Sequence, residues 1–245
     1  MKTIDSAVCL PCEDGVPQVN GLLQQMDEWS VSHAVVAPSD ELVAVYNEAG
    51  NGRIVEVVRG HPDRLSGLAV ANPWYGAKAV TILQSAFEQG LIGLYLHPGR
   101  QGFHLTDEIV DPLVEACIAH DKPIYSHTGT PICAMPFQLA ELAARHPKAT
   151  FVMGHSAWSD FCGYDVIPAA GQAGNILVET SCTTGNFLRR LISEIGAERV
   201  VFGSAYPRSR YRHEINKITR LGLSSEILEK VMCENAKRLW KIVSV

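Results

Sequence analysis

Short apolar runs alternate with amphipathic stretches from one end of the chain to the other, the pattern of repeated βα units wound around a parallel sheet. The apolar runs predict strands near Thr3 to Cys9, Ala34 to Ala37, Ser66 to Ala71, Gly93 to His97, Pro123 to His127, Thr150 to Gly154, Ile176 to Thr180 and Arg199 to Gly203. The amphipathic stretches predict helices about Val19 to Trp29, Asp40 to Arg59, Ala77 to Gln89, Thr106 to His120, Pro136 to His146, Phe161 to Ala170, Asn186 to Ile195 and Tyr211 to Leu221, followed by a C-terminal helical pair. Thr106-Asp107-Glu108 supplies a cap and early acidic residues for one of them. Eight strands close a (β/α)8 barrel, so the expected fold is α/β, a single TIM barrel spanning residues 1–245. No linker or low-complexity tract marks a second domain.

Composition narrows the function classes. With 47% hydrophobic residues in 245, the chain can bury one large core. A net charge of −5 and the lack of any Lys/Arg run give no footprint for nucleic acid. Met1-Lys2-Thr3-Ile4-Asp5 enters a strand at once, without room for a signal segment, and no stretch approaches a membrane span, so the expected compartment is the cytoplasm. Seven scattered Cys suit reduced thiols. Cys9-Leu10-Pro11-Cys12 has no second pair to complete a zinc ribbon. A phosphate-binding loop and a dinucleotide glycine fingerprint are both missing, and Gly154-His155-Ser156-Ala157-Trp158 lacks the final Gly of a nucleophile elbow.

Barrel chemistry sits where the βα loops converge, at the C-terminal ends of the strands. Those ends carry Cys9, His97, His127, His155, Glu179 and the Ser204-Ala205-Tyr206 segment. Neighbouring parallel strands lie about 4.8 Å apart, so His127 and His155 can face one small volume and share a ligand, a proton or a metal. The bland reading is a pair of buried histidines bonded to backbone carbonyls. Glu179, in the apolar run Leu177-Val178-Glu179, needs a partner and is a candidate general base or His-orienting group, with a structural ion pair as the alternative. Tyr95 and His97 share a strand face. Arg100, Arg208, Arg210 and Arg212 follow the fourth and eighth strands, where a guanidinium would clamp a carboxylate. Tyr206 and Trp158 would flank the site.

The set His97-Pro98-Gly99-Arg100-Gln101-Gly102-Phe103, His127-Thr128-Gly129-Thr130-Pro131, Gly154-His155-Ser156-Ala157-Trp158, Glu179-Thr180-Ser181, Gly196 to Ser204 and Glu234-Asn235-Ala236-Lys237-Arg238-Leu239 resembles the amidohydrolase superfamily. More narrowly it is similar to the branch of metal-dependent hydrolases, lactonases and non-oxidative decarboxylases. The resemblance implies a divalent metal, usually zinc, held by a His-x-His pair on the first strand, a His on the fifth and an Asp after the eighth. His127 matches the fifth-strand ligand and His155 the sixth-strand His. Ala7 and Cys9 stand in the His-x-His positions, Ala205 stands at the Asp position, and the Lys of some relatives falls at Tyr95.

These replacements change the expected chemistry. The Asp would offset the dication and take a proton from the attacking water; Ala205 does neither. Zinc held by imidazoles alone leaves a charge of +2 in a partly desolvated cavity. A rebuilt centre of Cys9, His127 and His155, holding a divalent ion only weakly, is one expectation, since a thiolate supplies a charge of −1. The main expectation is a hydrolase acting on a small carboxylate, lactone or amide without the inherited metal, with His155, His127 and Glu179 as catalytic residues and Tyr95, His97, Arg100, Trp158, Tyr206 and Arg208 around the substrate. A catalytically inactive binding barrel and a non-oxidative decarboxylase are the alternatives. The partner expected is a small anion, with no nucleic acid and no membrane, and the resemblance suggests a homodimer.

Overall fold

In the computed structural model, which describes residues 2–13 and 16–243, each of the eight apolar runs forms a strand. They are β1 (Thr3–Cys9), β2 (Val31–Ala37), β3 (Leu65–Ala69), β4 (Gly93–Leu96), β5 (Ile124–His127), β6 (Phe151–Gly154), β7 (Ile176–Glu179) and β8 (Val200–Val201). All pair in parallel in sequence order. Ser6 N–H donates to the Phe202 carbonyl at 2.9 Å and Cys9 N–H to the Tyr206 carbonyl at 3.0 Å, joining β1 to the chain after β8 and closing the (β/α)8 barrel. Below these bonds the buried Asp5 carboxylate accepts from the N–H of Ala7 (3.0 Å) and from the N–H and hydroxyl of Ser204 (2.9 and 2.5 Å). Burial pushes this carboxyl up to about 6 against those bonds.

The outer ring comprises α1 (Val19–Glu28), α2 (Asn47–Gly60), α3 (Ala77–Glu88), α4 (Asp111–Ala119), α5 (Pro136–Arg145), α6 (Ser159–Gln172), α7 (Gly185–Ile195) and α8 (Tyr211–Thr219). Two expected helices are shorter than their patterns. The helix foreseen over Asp40 to Arg59 breaks at Val45 and Tyr46, because the Asn47 amide donates to the carbonyls of Leu42 and Val43 at 3.0 and 2.8 Å and so ends the first segment, Asp40–Ala44. The helix foreseen from Thr106 starts as α at Asp111, with Pro112 in its first turn, where no N–H is missed. Asp107 does not cap it forwards; its carboxylate accepts from His104 N–H at 2.7 Å.

Two apolar layers result. One lies between strands and helices, and the other fills the barrel, where Ile4, Val35, Leu68, Val152 and Val201 meet Trp240 of the C-terminal helix Asn235–Trp240. The Trp240 indole donates to Ser6 Oγ at 3.1 Å, so this helix plugs the N-terminal end and leaves the C-terminal mouth open. Among the described residues no helix is long and apolar enough to cross a membrane.

A candidate active site at the barrel mouth

The strand register assembles the site. Tyr95 pairs with Tyr125 across β4 and β5, and His127 pairs with Gly154 across β5 and β6, so the side chains ending these strands share one level. His97 stacks on His127 with ring centroids 3.8 Å apart and planes 15° from parallel, and His127 meets His155 edge-on at 4.7 Å. Tyr95 stacks on Tyr125 at 5.5 Å beneath them. All five line a cavity of about 910 Å³ that opens at the mouth and is also walled by Ala7, Cys9 and Ala205.

Glu179 lies under this floor, fully buried. Every polar group against its carboxylate is a donor. Oε2 accepts from Tyr125 Oη (2.8 Å), His155 N–H (2.8 Å) and Ser181 Oγ (2.9 Å), and Oε1 from Ser181 N–H. Burial pushes the Glu179 carboxyl up to about 7, with these four bonds acting in the opposite direction. Glycine makes room for it: a Cβ on Gly203 would sit 2.3 Å from Glu179 Oε1, and one on Gly154 would sit 2.6 Å from the Tyr125 ring.

Ser181 joins the carboxylate to the imidazole. Its Oγ is 2.9 Å from Glu179 Oε2 and 2.8 Å from His155 Nδ1. When Glu179 is ionised the Ser181 hydroxyl donates to it, so Ser181 Oγ accepts from His155 Nδ1–H and Nε2 carries the lone pair. When Glu179 is protonated the hydroxyl is released to donate to Nδ1, and Nε2 carries the proton. The carboxyl thereby sets which tautomer His155 presents.

The three imidazoles are held neutral. Burial, then the charge of Arg208, lowers His155 to about 3, and burial, then Arg100 and Arg208, lowers His97 to about 4. Burial and the neighbouring His155 and His97 hold His127 well below its ordinary value. His97 lines the cavity, and its Nδ1 is buried with no hydrogen-bond partner among the described residues.

The backbone after β6 is strained. His155, Ser156, Ala157 and Trp158 take φ of 60°, 44°, 48° and 50°, a left-handed turn without glycine. Such residues cost roughly 1 to 2 kcal/mol each. The turn persists because it aims His155 N–H at Glu179, places the Ser156 hydroxyl 2.6 Å from the Glu179 carbonyl and directs Trp158 N–H to the His155 carbonyl at 2.8 Å. Strain of this kind concentrates where function over-determines geometry.

The outer expected residues divide. Arg208 lines the cavity, with its guanidinium carbon 5.0 Å from the centre of the Trp158 ring. Trp158 is the platform behind it, 5.9 Å from His155, and is not itself part of the cavity wall. Arg100, Arg210 and Tyr206 do not line the cavity; the Tyr206 ring turns away to stack on Tyr211 at 6.1 Å. Arg212 borders a separate cleft with His213 and Arg220. Three contributors were not foreseen: Tyr125, Ser181 and Arg53. The first two were accessible through strand alternation, since Tyr125 precedes His127 by two and Ser181 follows Glu179 by two. Arg53 sits in α2 and carries no local motif.

The donor chemistry does not fit a divalent cation. His97, His127 and His155 supply neutral nitrogen, Cys9 Sγ donates to the Pro38 carbonyl at 3.1 Å, and the Glu179 carboxylate already has four donors. Ala7, Cys9 and Ala205 stand where the resemblance implies ligands. Among the described residues no group of three or more His, Cys, Asp and Glu side chains is arranged to hold a metal ion, so Cys9 does not join His127 and His155 in such a centre.

A family model described as amidohydrolase matches residues 23–242. No curated protein matches the chain. Solved structures do. A 2,6-dihydroxybenzoate decarboxylase from Rhizobium superposes with a TM-score of 0.79 at 16% identity, covering 99% of each chain. A dihydroxybenzoic acid decarboxylase from a Polaromonas species, with manganese and the inhibitor 2-nitroresorcinol bound, gives 0.78 at 17%, covering 98% of this chain and 97% of that one. A protein from Pseudomonas putida assigned as a 2-pyrone-4,6-dicarboxylic acid hydrolase gives 0.77 at 17%, again covering 98% and 97%. At such identities the likeness establishes the barrel and leaves the reaction to the site.

Proposed function

The chain belongs to the amidohydrolase family, and from that premise we propose that it hydrolyses an activated lactone or ester of a small carboxylate by proton transfer, without the metal of its relatives. The observation that carries the reading is the chain Glu179, Ser181, His155 beneath the cavity floor. His155 Nε2 takes a proton from the water as its oxygen bonds to the acyl carbon, while Nδ1–H passes its proton to Ser181 Oγ and Ser181 passes its own to Glu179; when the acyl C–O bond breaks the relay runs in reverse, and Nε2–H returns the proton to the leaving oxygen. The pKa order favours this route, because a proton left on an imidazole held at about 3 is unstable, whereas Glu179 at about 7 takes it near neutral pH. The imidazolium is bypassed. Arg208 at the rim would hold the substrate carboxylate.

Positioned acid–base groups supply about 10²- to 10⁴-fold, enough for an activated lactone or ester and too little for an unactivated amide. The experiment is a panel of carboxylate-bearing lactones and aryl esters offered to chelator-treated protein. Turnover is expected without added metal and should fall at least about a hundredfold in His155→Ala. Turnover only on adding a divalent ion would defeat the reading, and carbon dioxide release without hydrolysis would reassign the protein as a decarboxylase.

A further inference from the structure

A second cleft, of about 440 Å³, lies at the end of the barrel opposite the mouth. Its wall comes mainly from residues 121–123, 148–150, 174–175 and 198–199, which immediately precede β5, β6, β7 and β8, and from the end of the C-terminal helix Asn235–Trp240. Those four strands are consecutive in the ring, so the loops that enter them are neighbours. Among the described residues five cations line the cleft: Lys122, Lys148, Arg199, Arg238 and Lys241. Two carboxylates, Asp121 and Glu198, face them, which leaves a balance of +3 in a chain whose net charge is −5.

The fold accounts for three of the five. Arg199 donates to the carbonyls of Ala170, Ala173 and Ile176 at 2.6, 2.9 and 2.7 Å, Arg238 donates to the Glu198 carbonyl at 2.9 Å, and Lys241 pairs with Asp121. Lys122 and Lys148 have no such role. Neither forms an ion pair or a hydrogen bond among the described residues, and the Lys122 ammonium has just the face of Phe87, 5.8 Å away. The Thr150 hydroxyl, in the same wall, is likewise without a hydrogen-bond partner among the described residues. Burial, then the charge of Lys241, holds Lys122 below its ordinary value, so the like charges crowd one another. Self-repulsion of this kind works against the compact state, and a bound anion relieves it.

We infer that this cleft at the foot of the barrel is a binding site for a phosphoryl group, carried by a small organic phosphate or present as the free ion, with Lys122 and Lys148 as its charged donors and the Thr150 hydroxyl as a neutral one. A phosphoryl group carries a charge of about −1.5 to −2 near neutral pH and three strong acceptor oxygens, which answers the excess of +3 better than the single charge of a carboxylate. Lysine ammonium groups serve phosphate as point charges, without the planar geometry a guanidinium demands. Leu177 and Leu239 in the same wall give the body of an organic phosphate an apolar surface to rest on. The inference is independent of the chemistry at the mouth.

The test is calorimetric titration of the full chain with phenyl phosphate and with inorganic phosphate at pH 8 and physiological ionic strength. It is repeated on a Lys122→Gln, Lys148→Gln double variant and on Arg208→Gln, which alters the mouth instead. Saturable binding is expected, weaker by about tenfold or more in the double variant and within about twofold of native in Arg208→Gln. Tighter binding of phenyl phosphate than of inorganic phosphate would assign the site to an organic phosphate resting on Leu177 and Leu239, and equal affinities would assign it to the free ion; either result supports the phosphoryl site. No saturable binding of either probe, binding that the double variant leaves intact, or binding that Arg208→Gln abolishes would overturn the inference. None of these outcomes bears on turnover at the mouth.

Discussion

Replacing Glu179 by Gln separates the burial of a charge from the bonds that charge makes. Gln has the same shape, but its NH₂ must face a donor. Turned towards Oε2 it opposes Tyr125, His155 N–H and Ser181 Oγ; turned towards Oε1 it opposes only Ser181 N–H, which is therefore the orientation expected. That opposition costs about 1 to 3 kcal/mol at any pH. The pH-dependent part is distinct. The folded carboxyl, at about 7, lies above its ordinary 4.5, so the folded state binds the proton more tightly. Its contribution to stability is complete below 4.5 and is lost as pH rises through 7. With about 1.36 kcal/mol per unit, the full swing is about 3 kcal/mol, of which about 2.5 falls between pH 5 and 8. The amide of E179Q cannot titrate. Urea unfolding of both proteins at pH 5 and pH 8 measures the effect: native minus E179Q stability should fall by about 2.5 kcal/mol on going to pH 8. A difference flat to within about 0.5 kcal/mol, the usual error of such cycles, would refute the assigned burial of this charge.

Further variants probe the neighbouring parts of the site, with one helix glycine as a control. Ser181→Ala strips the bridge from His155 Nδ1 and Glu179 Oε2 and should destabilise by about 2 to 3 kcal/mol in chemical denaturation, with a large loss of turnover. Gly203→Ala drives a methyl to 2.3 Å from Glu179 Oε1 and 2.7 Å from Ala7 Cβ, so it should cost about 1 to 3 kcal/mol by thermal unfolding, whereas Gly171→Ala, in α6 with nothing within 4 Å, should be neutral or stabilising by about 1 kcal/mol. Restoring Ala7→His, Cys9→His and Ala205→Asp together should raise zinc affinity at least about a hundredfold in competition with a chromogenic chelator, by supplying the missing nitrogen ligands and the anion.

Strand positions were legible because fully buried parallel strands leave short apolar runs that turn signals bracket. His127 and His155 were legible because each ends such a run, and the register then fixes their common level. What escaped has physical reasons. The helix break at Tyr46 depends on an Asn47 amide reaching back to carbonyls that only the folded chain brings near. Ser181 was reachable by counting two from Glu179, but its bridging role depends on a left-handed turn at residues 155–158 that no residue type there announces. Tyr206 was placed at the site by its distance from β8, but its ring finds Tyr211 instead. Arg53 became visible only when the fold brought its helix to the cavity wall.

The proposed chemistry depends above all on the Glu179 carboxyl governing, through Ser181, which nitrogen of His155 faces the cavity. Nitrogen-15 chemical shifts of His155 in chelator-treated protein, followed from pH 6 to pH 8.5, address it directly. The Nδ1–H tautomer is expected at the alkaline end, reached from Nε2–H at acid pH with a midpoint near 7 in the native chain, and a single pH-independent tautomer is expected in E179Q. An Nε2–H ring throughout in the native chain, or an imidazolium forming near neutral pH, would contradict it.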